Sequence, residues 1–326
     1  MIFTLLLNIS VDINSPVVED FIKIGLGYAY VEQFDSASVY FDKIVQAYPD
    51  NPAGYFMEAA LLQLKMMDEC RFDEEEAYLV LMKKTVKCSE RILEDDDNSW
   101  AKFYLANAYV YQAVYRGFRK DYFETFTLGV KGGRMMQELM KEDPTFYDAY
   151  LAAGTFEYFW ARATRYLPFL NLGGGDVEGA IEKLHIAAEN SLYSGPTARN
   201  SLVFIYAEEG KYGKARGIID SLMIEYPTSR TFLWNKAELE FKSENYSIAS
   251  DLFERLYDQY DTRNDKNYAN LAQCRLYIGK CFAELGDKAN ARSNLKEVIR
   301  LKEYSDTYPQ IKGYCREAYA LLSRLL

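Results

Sequence analysis

With one histidine, His185, in 326 residues, this chain has almost no imidazole chemistry available to it. A zinc site needs several nitrogen or sulfur ligands, and no cysteine stands at ligand spacing beside His185. Flanked by Leu184 and Ile186, that histidine is expected in the core or at its edge. Cysteine is scarce and odd in number: Cys70, Cys88, Cys274, Cys281 and Cys315 form no spaced framework. On one helix Cys274 and Cys281 stand ~10 Å apart by the helical rise, too far for a disulfide. The five read as small buried hydrophobes, which suits a reducing compartment. No apolar run reaches the ~20 residues that a spanning helix needs. The apolar stretch at residues 1–10 has neither a basic start nor a small-residue cleavage site. It is expected to pack on the first helices of a cytoplasmic protein. The alternative is the remnant of an export signal whose start lies upstream.

Catalytic signatures are missing too. There is no Gly-x-Ser-x-Gly elbow, no His-Glu-x-x-His and no phosphate loop. Gly210-Lys211 lacks the upstream glycine of a phosphate loop, and Gly173-Gly174-Gly175-Asp176 follows no strand. The latter reads as a loop whose aspartate caps the next helix. No catalytic residue, metal ligand or cofactor is implied. A net charge of −10 also works against non-specific binding to nucleic acid, whose phosphates attract a basic surface.

What the chain does have is periodicity. Gly25, Tyr28, Phe34, Ala37, Phe41 and Pro49 stand at offsets 0, 3, 9, 12, 16 and 24. Val203, Tyr206, Tyr212, Ala215, Ile219 and Pro227 keep those offsets, as do Gly279, Phe282, Lys288, Ala291 and Leu295 without the proline. Ala237, Tyr246, Ala249 and Phe253 fit between them, Ala249 standing 34 residues after Ala215. Within each unit the apolar positions recur at three- and four-residue spacings, which is helical amphipathicity. Small residues face one another where two helices cross, so the backbones approach closely. Tyr48-Pro49 and Tyr226-Pro227 end second helices, because proline disfavours helical geometry in the residue before it. Gly210 and Gly286 end first helices.

This pattern resembles the tetratricopeptide repeat, a helix–turn–helix unit of 34 residues. The resemblance implies an all-α solenoid: a right-handed superhelix of antiparallel helix pairs over the whole chain, 1–326, as a single domain. Repeats are expected at 18–51, 52–95, 97–143, 144–191, 196–229, 230–264 and 268–304, with a capping helix at 308–326. Such a cap keeps the apolar end of the stack out of water.

Two stretches exceed the repeat. Tyr111–Phe123 and Phe159–Leu170 lengthen equivalent positions of adjacent pairs, and both mix arginine with aromatics. From Ala113 to Met135 five basic residues face two acidic ones; from Tyr158 to Gly175 two face none. Insertions in solenoids usually map to one face, often the binding face. One reading is packing, with arginine stems laid over aromatic rings. In the other, Arg116, Arg119, Arg162 and Arg165 line an anion or carboxylate pocket walled by Trp160 and Tyr166. Around this region, the Leu-Pro run followed by Gly-Gly-Asp resembles the centre of the tetratricopeptide-repeat-domain-39 type. That resemblance implies that the insertion is a family feature.

What the tetratricopeptide resemblance implies for function is peptide or protein capture along a groove lined by first helices. The groove positions are Asn200, Phe204, Trp234, Asn235, Glu238, Leu276 and Lys280, with Phe204 and Trp234 as aromatic anchors. The terminal-carboxylate clamp of the chaperone-tail subclass is absent, since Asn200 and Phe204 occupy its lysine and asparagine positions. A non-catalytic scaffold for a protein or peptide partner is the expected function. The alternatives are a binder of a hydrophobic or anionic small ligand at the inserts, and a helical carbohydrate-active enzyme using paired carboxylates. The 34-residue period argues against that enzyme, because helical-toroid enzymes lack it.

Overall fold

The computed structural model describes residues 13–165 and 176–325. The apolar stretch at 1–10, Tyr166 and the Gly173-Gly174-Gly175 run lie outside the described residues. Within them the chain forms fifteen α-helices and no strand, so the all-helical expectation holds. The helices follow one another as α1 (Pro16–Ala29), α2 (Phe34–Ala47), α3 (Pro52–Asp68), α4 (Glu75–Asp95), α5 (Ser99–Phe118), α6 (Tyr122–Glu142), α7 (Ala149–Arg165) and α8 (Val177–Asn190). Then come α9 (Gly195–Glu208), α10 (Tyr212–Glu225), α11 (Arg230–Lys242), α12 (Tyr246–Asp261), α13 (Tyr268–Glu284), α14 (Lys288–Arg300) and α15 (Ile311–Arg324).

The local chemistry explains these boundaries. Tyr48 and Tyr226 are the residues at which α2 and α10 stop, each followed by its proline. Asn98, Asp121, Asp176, Ser229, Asn267 and Asp287 cap helix N-termini with a side-chain oxygen. The turn inside a pair needs a left-handed residue two positions before the second helix. Gly210 (φ 69°) and Gly286 (φ 79°) supply it without strain, but Glu32, Lys120 and Glu244 adopt it as well, at φ 52°, 63° and 63°. Sequence inspection finds this position only where glycine marks it.

The chain divides into two compact units. The first comprises residues up to 29, 33–63 and 74–194. Its α4, α5 and α6 run 21, 20 and 21 residues, against 14 for α1 and α2. At the helical rise the excess is about 10 Å. Ala37, Ala153 and Ala180 are fully buried at crossings. Gly132 stands at such a crossing too, where a Cβ would lie 2.7 Å from the Ala106 carbonyl oxygen. Asp148 fastens the end of this unit. Its buried carboxylate accepts from the Leu192, Tyr193 and Ser194 N–H groups at 2.8, 3.0 and 3.0 Å and from the Ser194 hydroxyl at 2.8 Å.

The second unit comprises 30–32, 64–73 and 195–325, so the end of α3 belongs to it. Ala215, Ala249 and Ala291 are fully buried. Leu233, Phe253, Leu256 and Ile278 fill one core, and Ile311, Cys315 and Ala318 of α15 close the next over Leu295 and Val298. Cys274, Cys281 and Cys315 are buried as expected, whereas Cys70 and Cys88 are only half-buried. His185 is half-buried in α8.

Candidate functional site

In the second unit, equivalent or adjacent repeat positions on successive first helices become neighbours. The Asn235 amide on α11 donates to Asn200 Oδ1 on α9 at 2.7 Å. Lys242 reaches Glu208 at 2.5 Å, and Lys280 on α13 reaches Glu317 on α15 at 2.7 Å. Phe204 is 46 % exposed, with the Lys242 ammonium 5.6 Å from its ring centre. Trp234 is half-buried, edge-on to Phe253 and Tyr277 at 5.5 and 6.2 Å. Leu276 belongs to the core beneath.

Tyr277 connects the expected groove residues, although sequence inspection passed over it. Its hydroxyl donates to Glu238 Oε1 at 3.4 Å, and the Lys280 ammonium lies 5.0 Å from its ring centre. Burial, then the Glu238 charge, pushes the phenol well above its ordinary range, so it stays a donor. The structure thus brings Trp234, Glu238 and Lys280 around one ring and pairs Asn200 with Asn235. Such a strip offers amides for main-chain hydrogen bonds and aromatic surface for apolar side chains.

The same unit contains a polar site, at the N-terminal ends of α11 and α13 and the C-terminal end of α12, that no sequence signal announced. Asp68, 5 % exposed at its side chain, accepts from Arg230 Nε and Nη2 at 3.2 and 2.7 Å. Arg263 Nη1 donates to it at 3.3 Å and the Tyr260 hydroxyl at 3.2 Å. The Asp68 carbonyl accepts from the side-chain amides of Asn267 and Asn270 at 3.2 and 2.6 Å. The Cys70 carbonyl accepts from Gln310 at 3.1 Å. Nearby, Glu32 accepts from the Arg230 and Thr231 N–H groups at 2.9 Å each and from the Ser229 hydroxyl at 3.2 Å. A carboxylate there complements the positive end of α11. Burial raises the Glu32 carboxyl pKa, opposed by those N–H bonds and the Arg230 charge.

At the overlong end of the first unit, the structure gives contacts for three of the four insert arginines. Arg116 lies 4.0 Å from Asp121, Arg119 lies 3.7 Å from Glu75, and Arg162 Nη1 donates to the Tyr158 hydroxyl at 2.9 Å. Arg165 is the last residue of α7, and Tyr166 lies outside the described residues. Trp160 stacks near Phe126 and Phe156, ring centres 6.3 and 5.8 Å away. Phe118, Tyr122, Phe123, Phe126 and Phe159 are all exposed, Phe123 to 77 %.

The tetratricopeptide repeat family matches residues 273–301, spanning most of α13 and all of α14. A signal transduction ATPase with a tetratricopeptide repeat sensor from Pyrococcus horikoshii shares the fold at a TM-score of 0.57 and 14 % identity, over 94 % of this chain and 42 % of that one. The APC/C hetero-tetramer Cut9-Hcn1 gives 0.55 at 14 % identity, over 91 % and 53 %. BtubC (BKLC) from P. vanneervenii gives 0.50 at 18 %, over 72 % and 92 %. This chain therefore spans about half the length of the first two. No curated protein matches the sequence.

Residues 273–301 form a tetratricopeptide repeat, and the described residues share the helix-pair solenoid fold of tetratricopeptide-repeat structures.

A tetratricopeptide-repeat fold serves in general as a non-catalytic interaction scaffold. Among the described residues, no cluster of histidine, cysteine, aspartate and glutamate could hold a metal ion. None of the described helices is long and apolar enough to cross a membrane.

Proposed function

We propose that this tetratricopeptide-repeat protein is a non-catalytic scaffold that binds an extended segment of a partner protein along the first-helix face of α9, α11 and α13. The observation that carries this reading is the strip of Asn200, Asn235, Trp234, Glu238, Lys280 and Tyr277, contributed by equivalent positions of consecutive repeats beside the exposed Phe204 ring. Extended chain presents a donor or acceptor at each residue, and a strip of repeating polar groups can satisfy several of them. Exposed and half-buried rings beside that strip supply anchor pockets. Partner identity and cytoplasmic location belong to the same proposal.

The test places a photo-crosslinking residue at position 204, and a control at Ile248, which is exposed on the second helix α12. Illumination in cell extract should give discrete adducts at position 204 that are absent from position 248 and lost on Trp234→Ala. Equal adducts at both positions would overturn the reading. A second reading, a small apolar ligand at the α5–α6–α7 end, draws on the exposed rings of Tyr122, Phe123 and Phe126. Enhanced fluorescence of anilinonaphthalene sulfonate that disappears in Phe123→Ser/Phe126→Ser would support it, and unchanged enhancement would remove it.

A further inference from the structure

We propose that the N-terminal ends of α11 and α13, together with Tyr260 and Arg263 at the C-terminal end of α12, form a binding site for an acidic residue that leads into a turn, filled in this chain by its own Asp68, and that a partner segment of that kind competes for it. The inference deepens the scaffold reading, because it names a ligand class for the same set of helices.

The donor set defines what the site recognises. Four donors converge on the Asp68 carboxylate: Nε and Nη2 of Arg230, Nη1 of Arg263 and the Tyr260 hydroxyl, at 2.7–3.3 Å. The planar fork of Arg230 grips both carboxylate oxygens, a geometry suited to carboxylates in general. Everything else that Asp68 receives is read from its main chain. Asn267 and Asn270 donate to its carbonyl, as Gln310 does to that of Cys70. Main-chain recognition is indifferent to side chains, so a carboxylate followed by a turn is the chief specification, with Glu69 3.9 Å from Arg263 and Cys70 packed against the neighbouring core as additions. The weak thiol bond from Cys70 to Asn270 Oδ1, at 3.3 Å, adds little to it.

The resident segment is also an imperfect ligand. Cys70 occupies the left-handed region at φ 54°, which costs a non-glycine residue free energy and persists only where surroundings enforce it. Asp68 and Arg230 are both largely withdrawn from water, so their pairing is offset by desolvation. A ligand that offers the same carboxylate without the strained turn starts with an advantage.

The experiment uses the full chain, as wild type and as Asp68→Asn, with a fluorescent peptide of residues 64–73 carrying Cys70→Gly and the same peptide carrying Asp68→Asn as well. The wild-type chain should bind neither peptide at micromolar concentration, because its own segment fills the site. The Asp68→Asn chain should bind the aspartate peptide at least ten-fold more tightly than the asparagine peptide. Equal affinity for the two, or no binding by a variant with wild-type circular dichroism, overturns the proposal. Should that variant fail to fold, amide exchange of residues 64–73 in the wild-type chain is followed with millimolar aspartate peptide. Faster exchange supports competition and unchanged exchange overturns it. Failure here with adducts still forming at position 204 removes the acidic-turn site alone. Loss of those adducts with peptide binding intact removes the first-helix strip alone.

Discussion

The two units follow one helix-pair plan with helices of different length, and the length decides where side chains find partners. In the second unit most helices run 13–17 residues, so successive first helices meet in near register: Lys242 finds Glu208 at the equivalent position, and Asn235 finds Asn200 one position off it. In the first unit α5 and α6 overrun that length, and the arginines on the overhang take acidic partners of their own, Asp121 and Glu75. The overhang also leaves Phe118, Tyr122, Phe123 and Phe126 exposed. Regular spacing brings repeated sequence positions beside one another, and a lengthened pair carries its side chains beyond that register.

The comparison is tested hardest by removing what fastens the first unit. Asp148→Ala leaves three N–H groups, two of them buried, and a buried hydroxyl without their acceptor and should cost about 3–5 kcal/mol. Chemical denaturation followed by amide exchange should place the loss in 148–194, while 195–300 keeps its protection. Equal loss in both would merge the two units into one cooperative body.

A crossing in the regular unit is the next lever. Ala215→Leu overfills a fully buried site and should cost about 1–3 kcal/mol, read from the denaturation midpoint. No change there would mean that the small residues are not what sets helix approach.

Two glutamates should respond to pH with opposite sign. Burial, with the nearby Asp42 charge and against the Ser38 hydroxyl bond, pushes the Glu58 carboxyl up to about 7. The folded first unit then holds that proton more tightly than the unfolded chain does, so its contribution is full below pH 4.5 and lost as pH rises through 7. Glu58→Gln should stabilise by about 1–2 kcal/mol at pH 8 after allowance for solvent screening, and by nothing at pH 4. Glu240 in the second unit is the reverse case. Hydrogen bonds from Arg216, at 2.7 and 2.8 Å, hold its carboxyl below the ordinary range, with burial opposing and Asn245 assisting. Its contribution is present at neutral pH and lost as pH falls below 4.5 through the depressed pKa. Glu240→Gln should cost about 1–3 kcal/mol at pH 7, shrinking in acid. Melting temperatures of both variants from pH 4 to 8 should therefore move in opposite directions.

The smallest effect concerns the left-handed turns. Glu244→Gly and Lys120→Gly should each stabilise by about 0.5–1 kcal/mol, because glycine accepts φ 63° without a Cβ clash. A gain at Glu244 without one at Lys120 would show that the overlong pair holds its turn differently.

Legibility followed the same division. The offsets from Gly25 to Pro49 and from Val203 to Pro227 exposed the helix pairs, since amphipathic spacing is a local property. Asn200, Phe204, Trp234 and Lys280 could be placed on one face for that reason. Tyr277 was missed because a tyrosine between core positions looks like packing until Glu238 and Lys280 are seen beside it. The arginines of the inserts were legible as residues but not as pairs, because rotamers choose Asp121 and Glu75.

By itself, then, the sequence determined the repeat, the small residues at the crossings, two of the glycine turns and the proline stops, since each depends on neighbours within a turn or two of chain. Only the tertiary structure decided that Asp68 lies against Arg230, 162 positions away, and that Glu32 covers the N-terminus of α11, 199 positions from Thr231. Those pairings leave no periodic trace. They arise because a buried carboxylate must find donors wherever the folded chain places them.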